Sequence, residues 1–114
     1  MEKWINYYFE SSSMETPEFS AFSKDIKKYI KNLILPEFIL VNYNKGHFYF
    51  SGFLTTKDGT RTVYFSSSDV RYSQNAWYNN LLIRTAKHAK DYTGGNNDYC
   101  KLTELKEKAL KLIN

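Results

Sequence analysis

The chain has 114 residues, 18% of them aromatic, and a formal net charge of +4 from 16 lysines and arginines against 12 aspartates and glutamates. We expect one domain over residues 1–114, because this length suits a single hydrophobic core. A lone cysteine, Cys100, excludes a disulfide scaffold, and the lack of a long apolar run or an apolar leader excludes a membrane protein. These features predict a cytoplasmic protein.

The first strong signal along the chain is a helix. Residues 4–9 fit either a strand or a short helix. Thr16 and Pro17 then provide a hydroxyl cap and a proline suited to the first helical position, which predicts a helix from about Pro17 to Leu33. Apolar residues recur on one side at spacings of three and four. The opposite side, called the lysine face below, carries Lys24, Lys27, Lys28 and Lys31. It is either a solvated surface or a phosphate-binding stripe.

The middle of the chain predicts an antiparallel sheet. Turn signals at 44–46 and 57–59 divide residues 38–66 into three β-rich runs, as in a meander. Alternation along 47–56 places aromatic residues on both faces of the sheet. Phe48, Phe50 and Leu54 share one face, and His47, Tyr49, Ser51 and Phe53 share the other. One face packs the helix, and the uncovered aromatic face leaves both a monomer and a homodimer open.

The last third predicts a strand and a second helix. Residues 66–75 are polar and predict a loop, and the aliphatic run 80–86 favours an edge strand over a short helix. Leucine, isoleucine and alanine at helical spacing over 102–113 predict an amphipathic helix docked on the sheet. The predicted fold is therefore α+β, with a mostly antiparallel sheet of about four strands and both helices on one face.

The segment from Arg84 to Asn97 is the strongest candidate for a binding site. Its cationic side chains donate to anions, and Thr93-Gly94-Gly95 can turn backbone N–H groups toward a phosphate or carboxylate when φ is positive. The predicted contacts in this segment are Arg84, Lys87, His88, Lys90, Tyr92, Gly94, Gly95 and Asn97, with Arg71 from the preceding loop. Lys24, Lys28 and Lys31 on the lysine face are further candidates.

The aromatic residues near this predicted site have one of three roles. Tyr49 and Phe53, with Tyr64 and Tyr72, supply rings that could stack on bases beside the cationic side chains. The same rings suit a protein interface. They also suit a second small core beneath residues 68–78.

Catalytic chemistry has weaker support. His47 and His88, with Lys87 or Lys90, supply the groups of a metal-independent ribonuclease. Asp69 and Asp91 are candidate magnesium ligands, although Asp69 also suits turn formation and orientation of Arg84. Cys100 beside Lys101 is either a slightly acidified thiol or a packing residue. We assign no catalytic residue, metal site or cofactor.

Several segments carry a resemblance to a known family. They are Thr16-Pro-Glu-Phe19, residues 46–53, Tyr64-Phe-Ser66, Asp69-Val-Arg71, residues 83–88, residues 90–95 and Asn97. With these segments the chain resembles small proteins carried by phages, plasmids and conjugative elements of low-GC Gram-positive gut bacteria. Residues 73–77 form a longer connection than the resemblance leads us to expect.

The resemblance implies a biological setting. Small proteins of mobile elements often bind host defence machinery, so we expect a non-enzymatic inhibitor of a CRISPR effector or restriction enzyme. The partner is then a host defence protein or ribonucleoprotein, contacted at nucleic acid or at an acidic surface. A nucleic-acid-binding protein serving replication or transfer of the element is one alternative, and a small histidine-dependent nuclease is another.

Overall fold

A five-stranded antiparallel sheet carries two helices on one face, as seen in a computed structural model that describes residues 16–46, 48–70 and 77–114. The sheet order follows the chain. The elements are α1 (Thr16–Leu33), β1 (Phe38–Lys45), β2 (Phe50–Thr56), β3 (Thr62–Ser66), β4 (Leu81–Ala86), β5 (Asp98–Cys100) and α2 (Leu105–Ile113). This arrangement confirms the predicted α+β class. The predicted element at residues 4–9, His47, Arg71 and Tyr72 lie outside the described residues.

Helix α1 packs its apolar side on the sheet, as its spacing predicts. Ile26 and Ile30 are fully buried, and the Phe22 ring meets the Trp77 ring edge to face at 5.4 Å. Burying one such aliphatic side chain contributes about 1.5–3 kcal/mol, so this stripe fixes the orientation of the helix. The lysine face consequently points to solvent. Within the described ranges, no helix combines the length and apolar character needed to cross a bilayer.

Strand β4 lies inside the sheet, so the prediction of an edge strand there was wrong. Residues 98–100, for which the sequence predicted no strand, pair antiparallel with β4, with Leu81 opposite Cys100 and Ile83 opposite Asp98. This fifth strand forms hydrogen bonds with backbone groups of β4 that would be unpaired if β4 were an edge strand. Among the described strands, the edges of the sheet are therefore β1 and the short β5.

A β-bulge interrupts β1, and its residues contact both α1 and the segment after β4. The register with β2 shifts between Val41 and Asn44, and Asn42 has a φ of 51°, a conformation that asparagine tolerates well. Asn42 Nδ2 donates to the Ala89 carbonyl at 2.8 Å. Tyr43, the next residue, stacks on Phe50 and lies with its hydroxyl oxygen 2.9 Å from Ser23 Oγ on α1. The bulge thus joins the edge strand to α1 on one side and to residues after β4 on the other.

Candidate functional site

The second face of the sheet carries a small aromatic core covered by residues 87–97, which we call the cap. The Tyr92 ring lies 5.3 Å from the Phe53 ring and 5.8 Å from the Tyr64 ring, both edge to face. Phe53 is 0% exposed, whereas Tyr92 remains 50% exposed. Phe53 is therefore a core residue with no free ring for a base. Tyr49, on the hairpin between β1 and β2, is 38% exposed.

Arg84 holds the cap to the sheet. Its guanidinium lies 4.7 Å above the Tyr64 ring, where a cation is attracted to the electron-rich face. The same group donates to the Tyr92 carbonyl and, at 3.3 Å, to Asn97 Oδ1. The Arg84 guanidinium, which we predicted to bind an external anion, thus donates within the fold, and the predicted contact Asn97 accepts from it.

The backbone N–H groups of the cap converge on an internal carboxylate. Asp91 Oδ1 accepts from the amides of Thr93 at 3.1 Å and Gly94 at 3.0 Å, and Oδ2 accepts from the amide of Lys87 at 2.9 Å. Gly95 has the positive φ that the sequence suggested, 77°. The amide donors of Thr93 and Gly94 do bind an anion, but that anion is the side chain of Asp91. The backbone hydrogen bonds, led by that from Lys87, lower the pKa of Asp91.

The lowered pKa of Asp91 predicts acid sensitivity of the cap. A carboxyl whose folded-state pKa lies below its ordinary value of 3.8 stabilises the fold above about pH 4, and this contribution is lost as pH falls through the folded-state pKa. We expect the near-ultraviolet circular dichroism of the tyrosine cluster to change as the pH falls below about 4. Asp91→Asn should weaken this transition and lower the melting temperature at pH 7.

Asp58 offers a matched control for that experiment. Hydrogen bonds from Thr56 and Thr60 lower its pKa to about 2, but it lies in the turn between β2 and β3, away from the aromatic core. Asp58→Asn should change the stability of the fold at acidic pH. It should leave the near-ultraviolet circular dichroism of the tyrosine cluster at pH 7 unchanged. An unchanged acid transition in Asp91→Asn would contradict the assigned role of Asp91.

The side chains of Lys87, His88 and Lys90 are exposed on the cap. His88 Nδ1 accepts from the backbone amide of Lys90 at 3.2 Å, which orients the imidazole along the loop. The segment thus divides by role. Arg84, Asp91 and the glycines build the cap, while Lys87, His88 and Lys90 present polar groups to solvent.

Two open grooves flank the edge strand and meet at Tyr43. The first, of about 390 Å³, lies between α1 and β1 and is lined by Ser20, Ser23, Lys24, Lys27, Tyr43 and Lys45. The second, of about 450 Å³, lies between β1 and the cap and is lined by Asn42, Tyr43, Asn44, Lys90 and Tyr92. The sequence did not single out Asn42, Tyr43, Asn44 and Lys45 as site residues, because only the fold brings this strand beside the lysines of α1.

Positive charge is distributed unevenly over the described surface. On α2, Lys106 pairs with Glu37 at 2.9 Å and Lys108 pairs with Asp98 at 2.7 Å. On α1, none of Lys24, Lys28 and Lys31 is within salt-bridge distance of a carboxylate among the described residues. The exposed lysines of α1 therefore form a cationic surface that makes no salt bridge within the part of the chain that the structure describes.

Asp91 and Cys100, two of the groups considered for catalysis, have structural roles. Both Asp91 oxygens accept hydrogen bonds from the cap, and the described residues contain no cluster of three or more potential metal-binding side chains. Burial raises the pKa of the Cys100 thiol to about 11, so the acidified-thiol interpretation was wrong and Cys100 is a packing residue.

Comparisons with models of protein families, with curated proteins and with solved structures find no match to this chain.

Proposed function

We propose that this chain is a non-enzymatic binding protein of a mobile genetic element that inhibits a host nucleic-acid-targeting defence complex by stoichiometric binding. The observation that carries the proposal is the exposed lysine face of α1, where Lys24, Lys28 and Lys31 form no salt bridge with a described carboxylate. Solvent-exposed lysines raise the local positive potential and attract phosphates or an acidic protein surface. The mobile-element setting comes from the sequence resemblance.

Binding suits the described residues better than catalysis does. General acid–base chemistry needs proton-transfer groups that converge on one substrate position. His88 is exposed on the cap and contacts the loop backbone, while Asp91 is surrounded by amide donors. Lysines spread along a helix instead suit many weak contacts with a polyanion.

A plasmid-protection assay tests the inhibitor role. Cells with an active RNA-guided or restriction defence are transformed with a targeted plasmid, with and without this protein. We expect the protein to restore transformation, and the triple variant Lys24→Glu, Lys28→Glu and Lys31→Glu to lose that effect. The control is a second triple variant that makes the same charge change away from α1, and it should still restore transformation. It combines Lys57→Glu, Lys101→Glu and Lys111→Glu. Failure of the native protein against each defence class would overturn the inhibitor role.

Direct binding measurements add a second readout. If three lysines contact phosphates, the slope of log K against log salt concentration should decrease in magnitude by about 2–3 in the lysine-face variant, at roughly 0.7–0.9 per contact. The control variant should keep the native slope.

A nucleic-acid-binding protein serving replication or transfer of the element is the second candidate. It is favoured by the half-exposed Tyr92 beside Lys90 in the second groove. Under this alternative the protein binds nucleic acid and leaves transformation unprotected. The nuclease alternative requires cleavage that His88→Ala abolishes.

A further inference from the structure

We infer that the β1 edge of the sheet is a binding site for single-stranded nucleic acid, which would lie along the two grooves that meet at Tyr43. The inference rests on the proposed function, because it assumes that the cationic surface binds a polyanion. It moves the site from the backbone of the cap to the β1 edge. There Lys24, Lys90 and Tyr92, which the sequence predicted, lie beside Tyr43, Asn44 and Lys45, which it did not.

The first groove is suited to phosphates. Lys24, Lys27 and Lys45 line it from the helix and the strand, and no carboxylate occurs among its described lining residues. Two of these ammonium groups are held in place. Lys45 Nζ donates to Ser20 Oγ at 2.7 Å, and Lys27 Nζ lies 5.8 Å from the centre of the Tyr43 ring. Positioned cations lose less side-chain entropy when a phosphate binds.

The second groove is suited to a base. Tyr92 is fixed against Phe53 and Tyr64 yet half exposed, so it offers a ring whose position is set before binding. Stacking on such rings is a general way to hold unpaired bases. Lys90 and the exposed carboxamide of Asn44 line the same groove and supply a charge and hydrogen-bonding groups beside the ring.

The combination favours a single strand over a duplex. A duplex presents its phosphates but keeps its bases stacked inside, so it would use the lysines and leave Tyr92 without a stacking partner. A peptide added as an extra strand is also less suited, because the bulge at Asn42 breaks the regular ladder that β-strand addition needs.

Fluorescence anisotropy with a labelled single-stranded oligonucleotide of about 15 nucleotides, and with the matching duplex, tests the inference. We expect the single strand to bind more tightly at equal salt. Lys27→Gln with Lys45→Gln should weaken binding of the single strand and reduce the magnitude of its salt slope by about 1.4, because two phosphate contacts at about 0.7 each are lost. Tyr92→Leu keeps an apolar side chain over Phe53 and should lower affinity about tenfold with the slope unchanged.

Two further variants separate the groove from the cap. Lys87→Gln removes a cation of the cap that does not line either groove, and it should keep native affinity. Asn44→Asp places a negative charge in the second groove without touching the aromatic core, and it should weaken binding even if Tyr92→Leu disturbs the cap. Circular dichroism melts check the fold of each variant.

The outcomes distinguish the two proposals. Equal affinity for duplex, or native affinity in both the Lys27/Lys45 variant and Asn44→Asp, overturns the β1 site and leaves the proposed function standing. Plasmid protection without any nucleic-acid binding does the same and indicates an acidic protein partner. Nucleic-acid binding at the β1 edge without plasmid protection supports the site and overturns the inhibitor role.

Discussion

Replacing Phe53 with alanine is expected to lower the free energy of unfolding by about 3–5 kcal/mol, the usual cost of removing a buried phenylalanine ring. Phe53 is fully buried on the face of the sheet opposite the helices, between Tyr64 and Tyr92. The loss would take a large share of the stability of a domain of this size, typically about 5–15 kcal/mol. Urea unfolding followed by tyrosine fluorescence and circular dichroism measures it.

Phe53→Leu and Tyr92→Ala are the matched controls. Leucine retains most of the apolar volume and should cost less than about 1.5 kcal/mol, as volume-conserving changes usually do. Tyr92→Ala removes a half-exposed ring and should cost less than Phe53→Ala. A Phe53→Ala variant as stable as Phe53→Leu would show that the second face has no packed core in solution.

Gly95→Ala should be the most damaging glycine substitution in the cap. Gly95 has a φ of 77°, which costs an L-residue about 1–2 kcal/mol. A Cβ there would also collide with the carbonyl oxygen of Thr85 and lie 2.9 Å from its Oγ1. Thr85 pairs with Val63 in the sheet, so it cannot move away freely. With about 1–3 kcal/mol for overpacking, we expect a total loss of about 2–5 kcal/mol.

Gly59→Ala isolates the conformational part of that effect. Gly59 has nearly the same φ, 76°, but nothing lies within 4 Å of an added Cβ. The loss of unfolding free energy in Gly59→Ala should therefore stay near the conformational cost alone, about 1–2 kcal/mol. Melting temperatures of the two variants in the same buffer give the comparison. Equal losses of stability in Gly95→Ala and Gly59→Ala would mean that the cap does not approach β4 closely.

Local patterns predicted the long elements because each has a repeat that one can count. The apolar spacing of α1 gave its length, and two turn signals separated β1, β2 and β3 at nearly the observed boundaries. Alternation also placed Phe50 and Phe53 on opposite faces, as observed. Strand β5 escaped prediction because three residues carry no periodicity, and pairing with β4 alone defines it.

The sequence predicted the candidate site only in part, because the three-dimensional fold decides which groups its charged side chains contact. The sequence showed amide donors and an acid in one segment, yet it could not show that Asp91 would accept those donors itself. The exposure of the lysine face followed from helical periodicity. The approach of Lys45 to Ser20 depends on how the edge strand lies beside α1, which spacing along the chain does not encode.

The buried thiol of Cys100 has a practical consequence for studying the molecule. With a pKa near 11, almost none of it is thiolate at neutral pH, and thiolate is the form that reacts with maleimides. A cysteine placed at an exposed position, such as Lys57→Cys in the turn after β2, would therefore react selectively. The native chain thus accepts a single fluorophore or spin label for distance measurements without first removing its own cysteine.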